Sequence, residues 1–84
     1  MNQLEERARA QLMMIEQIYA LKIKNLEEIA RLIAEKVDND RQVLMICSSL
    51  NSWVLLNRKY GEVVVPDEVL ERLFSIAEWQ SRHA

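Results

Sequence analysis

The chain has 84 residues, of which 50% are hydrophobic and 29% charged, with a single glycine and a single proline. So large an apolar share excludes a disordered chain, and so few turn residues exclude an all-β fold, which leaves one all-α domain over residues 1–84. The formal charge of −2 provides no basic footprint for nucleic acid.

The strongest pattern lies between residues 2 and 37, where no glycine or proline occurs and apolar residues recur every three, four or seven positions. This spacing predicts one long amphipathic helix. A rod of about 35 residues would be roughly 50 Å long, which exceeds the width of a globule of this size. Either the helix is broken near Asn25, where Asn25 and Glu28 have the spacing of a capping box, or it is continuous and a second subunit covers it.

A second helix is predicted from about residue 40 to residue 60. Either Asp38 or Asn39 can cap its start, because each has a side-chain oxygen that accepts hydrogen bonds from the first free backbone N–H groups. Gly61 is expected to end the helix, since glycine adopts the left-handed conformation after a helix without a steric penalty. The predicted fold is therefore a small bundle of three main helices, completed by dimerisation.

The third helix is predicted from about residue 66 to residue 81, after an extended linker over residues 62–65. The linker contains three valines in a row, and the proline that follows disfavours a helical conformation at Val65, so a single short strand is also possible there. Pro66 fits the first position of the helix. The residues expected to face the bundle are Leu70, Phe74 and either Ile76 or Ala77.

The segment from residue 12 to residue 23 is apolar around nearly the whole circumference of its helix, a property of helices that are buried on more than one side. Two further helices offer too little surface to cover it, so we expect a homodimer. The expected interface residues are Leu12, Met13, Met14, Ile15, Ile18, Tyr19, Leu21 and Ile23. The alternative is a compact monomer of three or four helices with a full core.

Negative charge is concentrated at the end of the chain, where residues 62–84 contain five acidic and two basic residues. On the third helix, Glu68, Glu71 and Glu78 are expected on the polar side. Such an acidic surface can steer a basic partner, while apolar residues beside it supply affinity. The alternative is a solvated face that only keeps the protein in solution.

The sequence contains few groups that could perform chemistry. One cysteine and one histidine, Cys47 and His83, cannot supply the three or four ligands of a transition-metal site, and one glycine cannot form a phosphate-binding loop. We therefore expect no metal, no cofactor and no enzymatic activity. Cys47 is interpreted as a small buried hydrophobic residue, and Ser48, Ser49 and Ser52 as solvent-facing or close-packing positions.

We expect the chain to act in the cytoplasm. A single cysteine cannot form an internal disulfide, and the first residues are charged where a signal peptide would be apolar. The longest uncharged run, over residues 42–57, is too short to cross a bilayer and contains polar residues. A membrane span is therefore not expected.

These features together predict a non-catalytic intracellular protein–protein interaction module that associates with itself and serves as an adaptor, chaperone or inhibitor of an unidentified larger protein. One alternative is a regulatory protein associated with nucleic acid through two basic pairs, Arg7 with Arg9 and Lys22 with Lys24. Another alternative, which the sequence supports less, is an enzyme that uses Cys47 or a serine as nucleophile.

Overall fold

The computed structural model describes residues 2–83 as four α-helices and two very short β-strands. The elements follow the order α1 (Gln3–Tyr19), β1 (Lys22–Ile23), α2 (Leu26–Lys36), α3 (Asp40–Asn57), β2 (Glu62–Val63) and α4 (Asp67–His83). The predominantly helical fold that the composition predicts is confirmed. The described chain has four helices and not three main ones, because the predicted first helix is divided into α1 and α2.

The long helical segment is interrupted over residues 20–25, so the break considered near Asn25 is present, and it begins at Ala20. Ala20 has the left-handed angles φ 51° and ψ 50°, and its N–H donates to the carbonyl of Gln17. The N–H of Leu21 donates to the carbonyl of Glu16 over 3.0 Å, which completes a Schellman arrangement. The described chain therefore measures only 37 × 27 × 20 Å, shorter than the continuous rod.

The segments that follow α1 and α3 meet as a parallel pair of strands. Lys22 of β1 is opposite Glu62 of β2, and Ile23 is opposite Val63. Beyond β1, the N–H of Lys24 donates to the carbonyl of Val63 over 2.9 Å. The predicted linker over residues 62–65 thus begins as a short strand, and its pairing with β1 was not part of the prediction.

Asn25 extends this strand pairing with its side chain. Its Nδ2 donates to the carbonyl of Val65 over 2.8 Å, and its Oδ1 accepts from the N–H of Val65 over 3.1 Å. The side-chain amide therefore takes the place of a backbone peptide group. Asn25 occupies the N-cap position of α2, but its side chain makes no capping hydrogen bond. The capping-box interpretation of Asn25 is wrong for this reason.

The starts of α3 and α4 follow the sequence signals closely. Of the two candidate caps, Asn39 is the one used, and its side chain accepts from the N–H of Gln42 over 3.0 Å. Gln42 reciprocates by accepting from the N–H of Asp38 over 2.7 Å. Pro66, predicted at the first position of the third helix, lies one residue before α4, and its carbonyl accepts from the N–H of Leu70 over 3.2 Å.

The end of α3 differs from the prediction that Gly61 terminates it. The helix ends before Arg58, which is extended with φ −70° and ψ 146°. Tyr60 and Gly61 instead occupy the centre of a tight turn, with φ of 51° and 77°. The turn is closed by two backbone hydrogen bonds between Lys59 and Glu62, of 3.0 and 2.9 Å. Positive φ at both central residues is the requirement of a type I′ turn.

Two contacts fix the direction of α1 relative to α3. An ion pair of 3.6 Å joins Arg7, near the start of α1, to Asp40, at the start of α3. The hydroxyl of Tyr19, at the end of α1, donates to Oδ1 of Asn51, in the second half of α3. Both helices therefore run in the same direction, with Arg7 and Tyr19 facing α3.

The core contains side chains from all four helices and from both strand segments. Gln42 of α3 donates to the hydroxyl of Ser81 in α4 over 2.9 Å, so α4 lies antiparallel to α3. Helix α1 packs on both α2 and α3, whereas α4 packs mainly on α3. The largest fully buried side chains are Leu12, Ile23, Ile29, Ile33, Val43, Ile46, Leu50, Val54, Val65 and Leu70.

Candidate protein-interaction surfaces

The structure divides the residues predicted for a dimer interface into two groups. Four of them lie in the core of the single chain and are at most 8% exposed, namely Leu12, Ile15, Leu21 and Ile23. Three large apolar side chains are exposed, namely Met13 (46%), Met14 (52%) and Ile18 (61%). Tyr19 is half-buried. A side chain that fills the core of its own chain is not available to a partner, so only the second group and Tyr19 can contribute to an interface.

One exposed face of α1 lies beside α3. Arg7, Met14 and Ile18 share this face, because residues spaced by four or seven positions return to nearly the same side of a helix. The ion pair from Arg7 to Asp40 directs the face toward α3. Met14 and Ile18 therefore border the seam between the two helices.

The adjacent face of α3 supplies the matching apolar residues. Leu44 and Leu55 follow Asp40 at helical spacing and are 46% and 47% exposed. Ser48 lies between them and is exposed. We give the name α1–α3 surface to Met14, Ile18, Leu44, Ser48 and Leu55, which helical spacing places on the sides of α1 and α3 that carry Arg7 and Asp40. Leu44 and Ser48 also line a cleft with Gln80 of α4. Leu44 and Leu55 belong to two segments of the second predicted helix, residues 43–47 and 53–56, that are apolar all round in the sequence, but neither residue was among the predicted interface residues.

A polar arrangement holds one end of the α1–α3 surface in place. The Tyr19 hydroxyl donates to Asn51, and the guanidinium of Arg58 lies over the Tyr19 ring with its central carbon 5.1 Å from the ring centroid. Arg58 also donates to the carbonyl of Leu55 over 3.3 Å. A cation above an aromatic face is favourable, and here it links the end of α1 to the end of α3.

The three glutamates predicted on the acidic surface are all exposed on α4. Glu71 and Glu78 line a groove of about 570 Å³ between α2 and α4, whereas Glu68 does not. Of the two residues left open for the inner face, Ala77 is 6% exposed and Ile76 is 44% exposed, so Ala77 faces the bundle. We name this cleft the α2–α4 groove, lined by Glu28, Leu32 and Lys36 of α2 and by Glu71, Phe74 and Glu78 of α4.

The basic pairs that suggested nucleic-acid binding are partly neutralised by acidic neighbours. The hydrogen bonds to Glu27 raise the pKa of the Arg9 guanidinium above its ordinary value. Cations that already have carboxylate partners gain less from phosphate, which argues against this alternative. The ion pairs are Arg7 with Asp40 at 3.6 Å, Arg9 with Glu27 at 2.8 Å, and Lys24 with Glu62 at 3.8 Å.

Cys47 lies in the core and is 3% exposed. Burial raises the pKa of its thiol to about 12, so the thiol is protonated at neutral pH and is a poor nucleophile. His83 is engaged elsewhere, because its Nδ1 is 2.8 Å from the carbonyl of Trp79 and its ring stacks on the Trp79 ring. Over residues 2–83, no group of three or more His, Cys, Asp and Glu side chains is placed to hold a metal ion.

Cys47→Ser should lower the free energy of unfolding by about 1–3 kcal/mol, because a hydroxyl with no assured partner replaces an apolar thiol in the core. Self-association of the folded variant should be unchanged. Urea denaturation measures the first effect and light scattering the second, with Ser52→Ala, at an exposed position of the same helix outside the α1–α3 surface, as the control. Loss of association in a folded and stable Cys47→Ser variant would show that the thiol itself is needed.

The described chain is thus a four-helix protein in which one parallel strand pair ties the α1–α2 connection to the segment after α3. Comparison with known proteins finds no matching family model, no matching curated protein and no matching solved structure. Within residues 2–83, none of the helices combines the length and the apolar character that crossing a membrane requires. The exposed surfaces are therefore the basis for assigning a role.

Proposed function

We propose that this chain is a non-catalytic, cytoplasmic protein–protein interaction module that pairs with a second copy of itself and acts as an adaptor, chaperone or inhibitor of a larger protein. The observation that carries the proposal is the α1–α3 surface, whose four large apolar side chains are between 46% and 61% exposed. Contiguous apolar patches on small proteins commonly mark interaction sites. The free, buried thiol of Cys47 is compatible with a reducing compartment.

The pattern of residues along α3 favours a second copy as the occupant of the α1–α3 surface. Leu44, Ser48, Asn51 and Leu55 are spaced by four, three and four positions. The order of side-chain types along this face, leucine, polar, polar, leucine, is therefore the same from either end of the helix. If two α3 helices cross antiparallel at its centre, Leu44 of each copy meets Leu55 of the other. Such a contact is closed by a two-fold axis, and the small side chain of Ser48 permits close approach near the axis.

The apolar side chains of the α1–α3 surface supply part of the free energy of association. Full burial of a leucine-sized side chain contributes about 1.5–3 kcal/mol, so a side chain that is already half covered contributes on the order of 1 kcal/mol. A symmetric pair of α1–α3 surfaces contains eight such side chains. Their combined contribution is comparable with the several kcal/mol that association costs in lost translation and rotation. A micromolar dimer needs about 8 kcal/mol beyond this cost, so the polar contacts and smaller apolar areas buried around these side chains would have to supply the rest.

Replacing Ile18 and Leu55 together by glutamate should abolish the dimer. The change places like charges on both sides of the two-fold axis, while both side chains are exposed in the single chain and their replacement should preserve the fold. Light scattering at tens of micromolar should show a dimer for the wild type and a mass of 9.9 kDa for the variant. Circular dichroism checks that helicity is unchanged.

Leu56→Glu is the matched control for this experiment. Leu56 is 82% exposed and is adjacent to Leu55 in sequence, but lies on a different side of α3. The control should remain dimeric. A wild-type mass of 9.9 kDa at tens of micromolar would remove the proposal of self-association. A dimer that tolerates the double replacement would show that the interface lies outside the α1–α3 surface.

A further inference from the structure

The α2–α4 groove has an apolar floor that the fold leaves open. Helix α4 packs mainly on α3, and α2 packs mainly on α1, so a cleft of about 570 Å³ separates α2 from α4. Leu70 lies at the bottom and is 2% exposed. Leu32 of α2 and Phe74 of α4 line the groove and are half-buried. The volume is within the range of clefts that hold ligands or side chains of a partner.

The rim of the groove is strongly acidic. Four carboxylates, those of Glu28, Asp67, Glu71 and Glu78, line it together with a single ammonium group, that of Lys36. Glu78 has a partner on its own helix, since one of its oxygens lies 3.6 Å from Arg82. None of the ion pairs found within residues 2–83 involves Glu28, Asp67 or Glu71.

Unpaired carboxylates around an apolar floor differ from an ordinary solvated helix face. A face that only maintains solubility needs charge, but it does not need a concave apolar surface between the charged residues. Negative charge also repels nucleic-acid phosphates and anionic lipid headgroups. The groove is instead complementary to a ligand that is both cationic and apolar.

We propose that the α2–α4 groove binds a basic amphipathic helical segment of a partner protein. Apolar side chains of that segment would contact Leu32 and Phe74, and its lysine and arginine side chains would lie near Glu28 and Glu71. A helix laid between two helices is a common mode of peptide recognition, and opposite charges at the rim fix its orientation. This inference names the partner class of the proposed interaction module, and it does not require self-association.

The groove is tested with a fluorescein-labelled leucine–lysine peptide of about 14 residues, with its leucines at helical spacing, since this length forms about four turns. Fluorescence anisotropy should show saturable binding to the wild-type chain. Glu71→Lys combined with Glu78→Lys should weaken binding by on the order of tenfold or more and should reduce its dependence on salt. Circular dichroism should show unchanged helicity.

The matched control is Glu6→Lys combined with Glu68→Lys, which changes the total charge by the same amount. Both glutamates are exposed and neither lines the groove. The control should bind the peptide within about twofold of the wild type, a difference that corresponds to a few tenths of a kcal/mol. Equal weakening in both double variants would show attraction to overall charge only and would overturn the proposal.

Two further comparisons test the apolar part of the site. Leu32→Ser should weaken binding several-fold, because it removes part of the groove's apolar surface. A peptide of the same composition with its leucines scattered should bind the wild type at least about tenfold more weakly, since it has no apolar helix face. If the scattered peptide binds equally well, or Leu32→Ser has no effect, the groove does not recognise an amphipathic helix.

Light scattering on the same samples separates this inference from the proposal of self-association. A monomeric chain that binds the peptide through Glu71 and Glu78 supports the groove and contradicts the dimer. A dimeric chain that shows no saturable peptide binding contradicts the groove and leaves the dimer standing.

Discussion

Replacing Asn25 by leucine should lower the free energy of unfolding by about 2–4 kcal/mol, although the side chain is polar and only half-buried. The amide of Asn25 makes two hydrogen bonds with the backbone of Val65, of 2.8 and 3.1 Å. Val65 is 1% exposed, so water cannot readily replace either bond. An N–H and a carbonyl left without partners cost about 1–3 kcal/mol each, partly offset by the apolar area that leucine adds.

Asn25→Asp distinguishes this role from helix capping. Aspartate caps helices as well as asparagine does, and its charge suits the positive end of the α2 dipole. If Asn25 acted as a cap, the replacement would be neutral or stabilising. Because a carboxylate can accept from the N–H of Val65 but cannot donate to its carbonyl, we expect a loss of about 1–3 kcal/mol instead.

Urea denaturation followed by circular dichroism measures both Asn25 variants, and amide hydrogen exchange at Val65 reports the local bond directly. The Val65 amide should exchange faster in Asn25→Leu than in the wild type. Asn39→Asp is the matched control, since Asn39 is a true cap whose side chain accepts from Gln42 and should tolerate aspartate. Stabilities of both Asn25 variants within about 0.5 kcal/mol of the wild type would contradict the strand-extending role.

The sequence predicted the elements whose causes are local and failed where the causes are distant. The Asn39 cap was one of two predicted candidates, and the start of α4 after Pro66 depends on backbone preferences within one turn. Ala20 could not be recognised, because alanine disfavours the left-handed conformation that it adopts. The pairing of Asn25 with Val65 spans 40 positions, so a local pattern at Asn25 carried no information about it.

Prediction of the candidate surfaces from the sequence also failed where contacts between distant segments decide the outcome. The sequence identified Met14 and Ile18 as members of an overfilled apolar segment, but it could not separate them from Leu12 and Ile15. That separation depends on which sides of α1 are covered by α2 and α3, and therefore on the turn at Ala20. The contribution of α2 to the groove was missed for the same reason, since its position opposite α4 is a property of the whole fold.

Neighbouring residues in the apolar segment of α1 should respond differently to truncation. Leu12→Ala should lower the free energy of unfolding by about 2–5 kcal/mol, because Leu12 is fully buried and its truncation leaves a cavity. Met14→Ala should change it by less than about 0.5 kcal/mol in dilute protein, because Met14 is 52% exposed in the single chain.

Varying the protein concentration distinguishes a side chain buried within the single chain from one buried only at the dimer interface. Raising the concentration into the range where dimers form should stabilise the wild type by mass action. The rise in melting temperature with concentration should be smaller for Met14→Ala, whose side chain belongs to the α1–α3 surface. The loss of unfolding free energy in Leu12→Ala should be the same at every concentration, provided that this variant still associates. Thermal melts over a hundredfold range of concentration measure both quantities.

A large loss of unfolding free energy for Met14→Ala in dilute protein would place that side chain in the core. A wild-type melting temperature that does not change with concentration would contradict self-association through the α1–α3 surface.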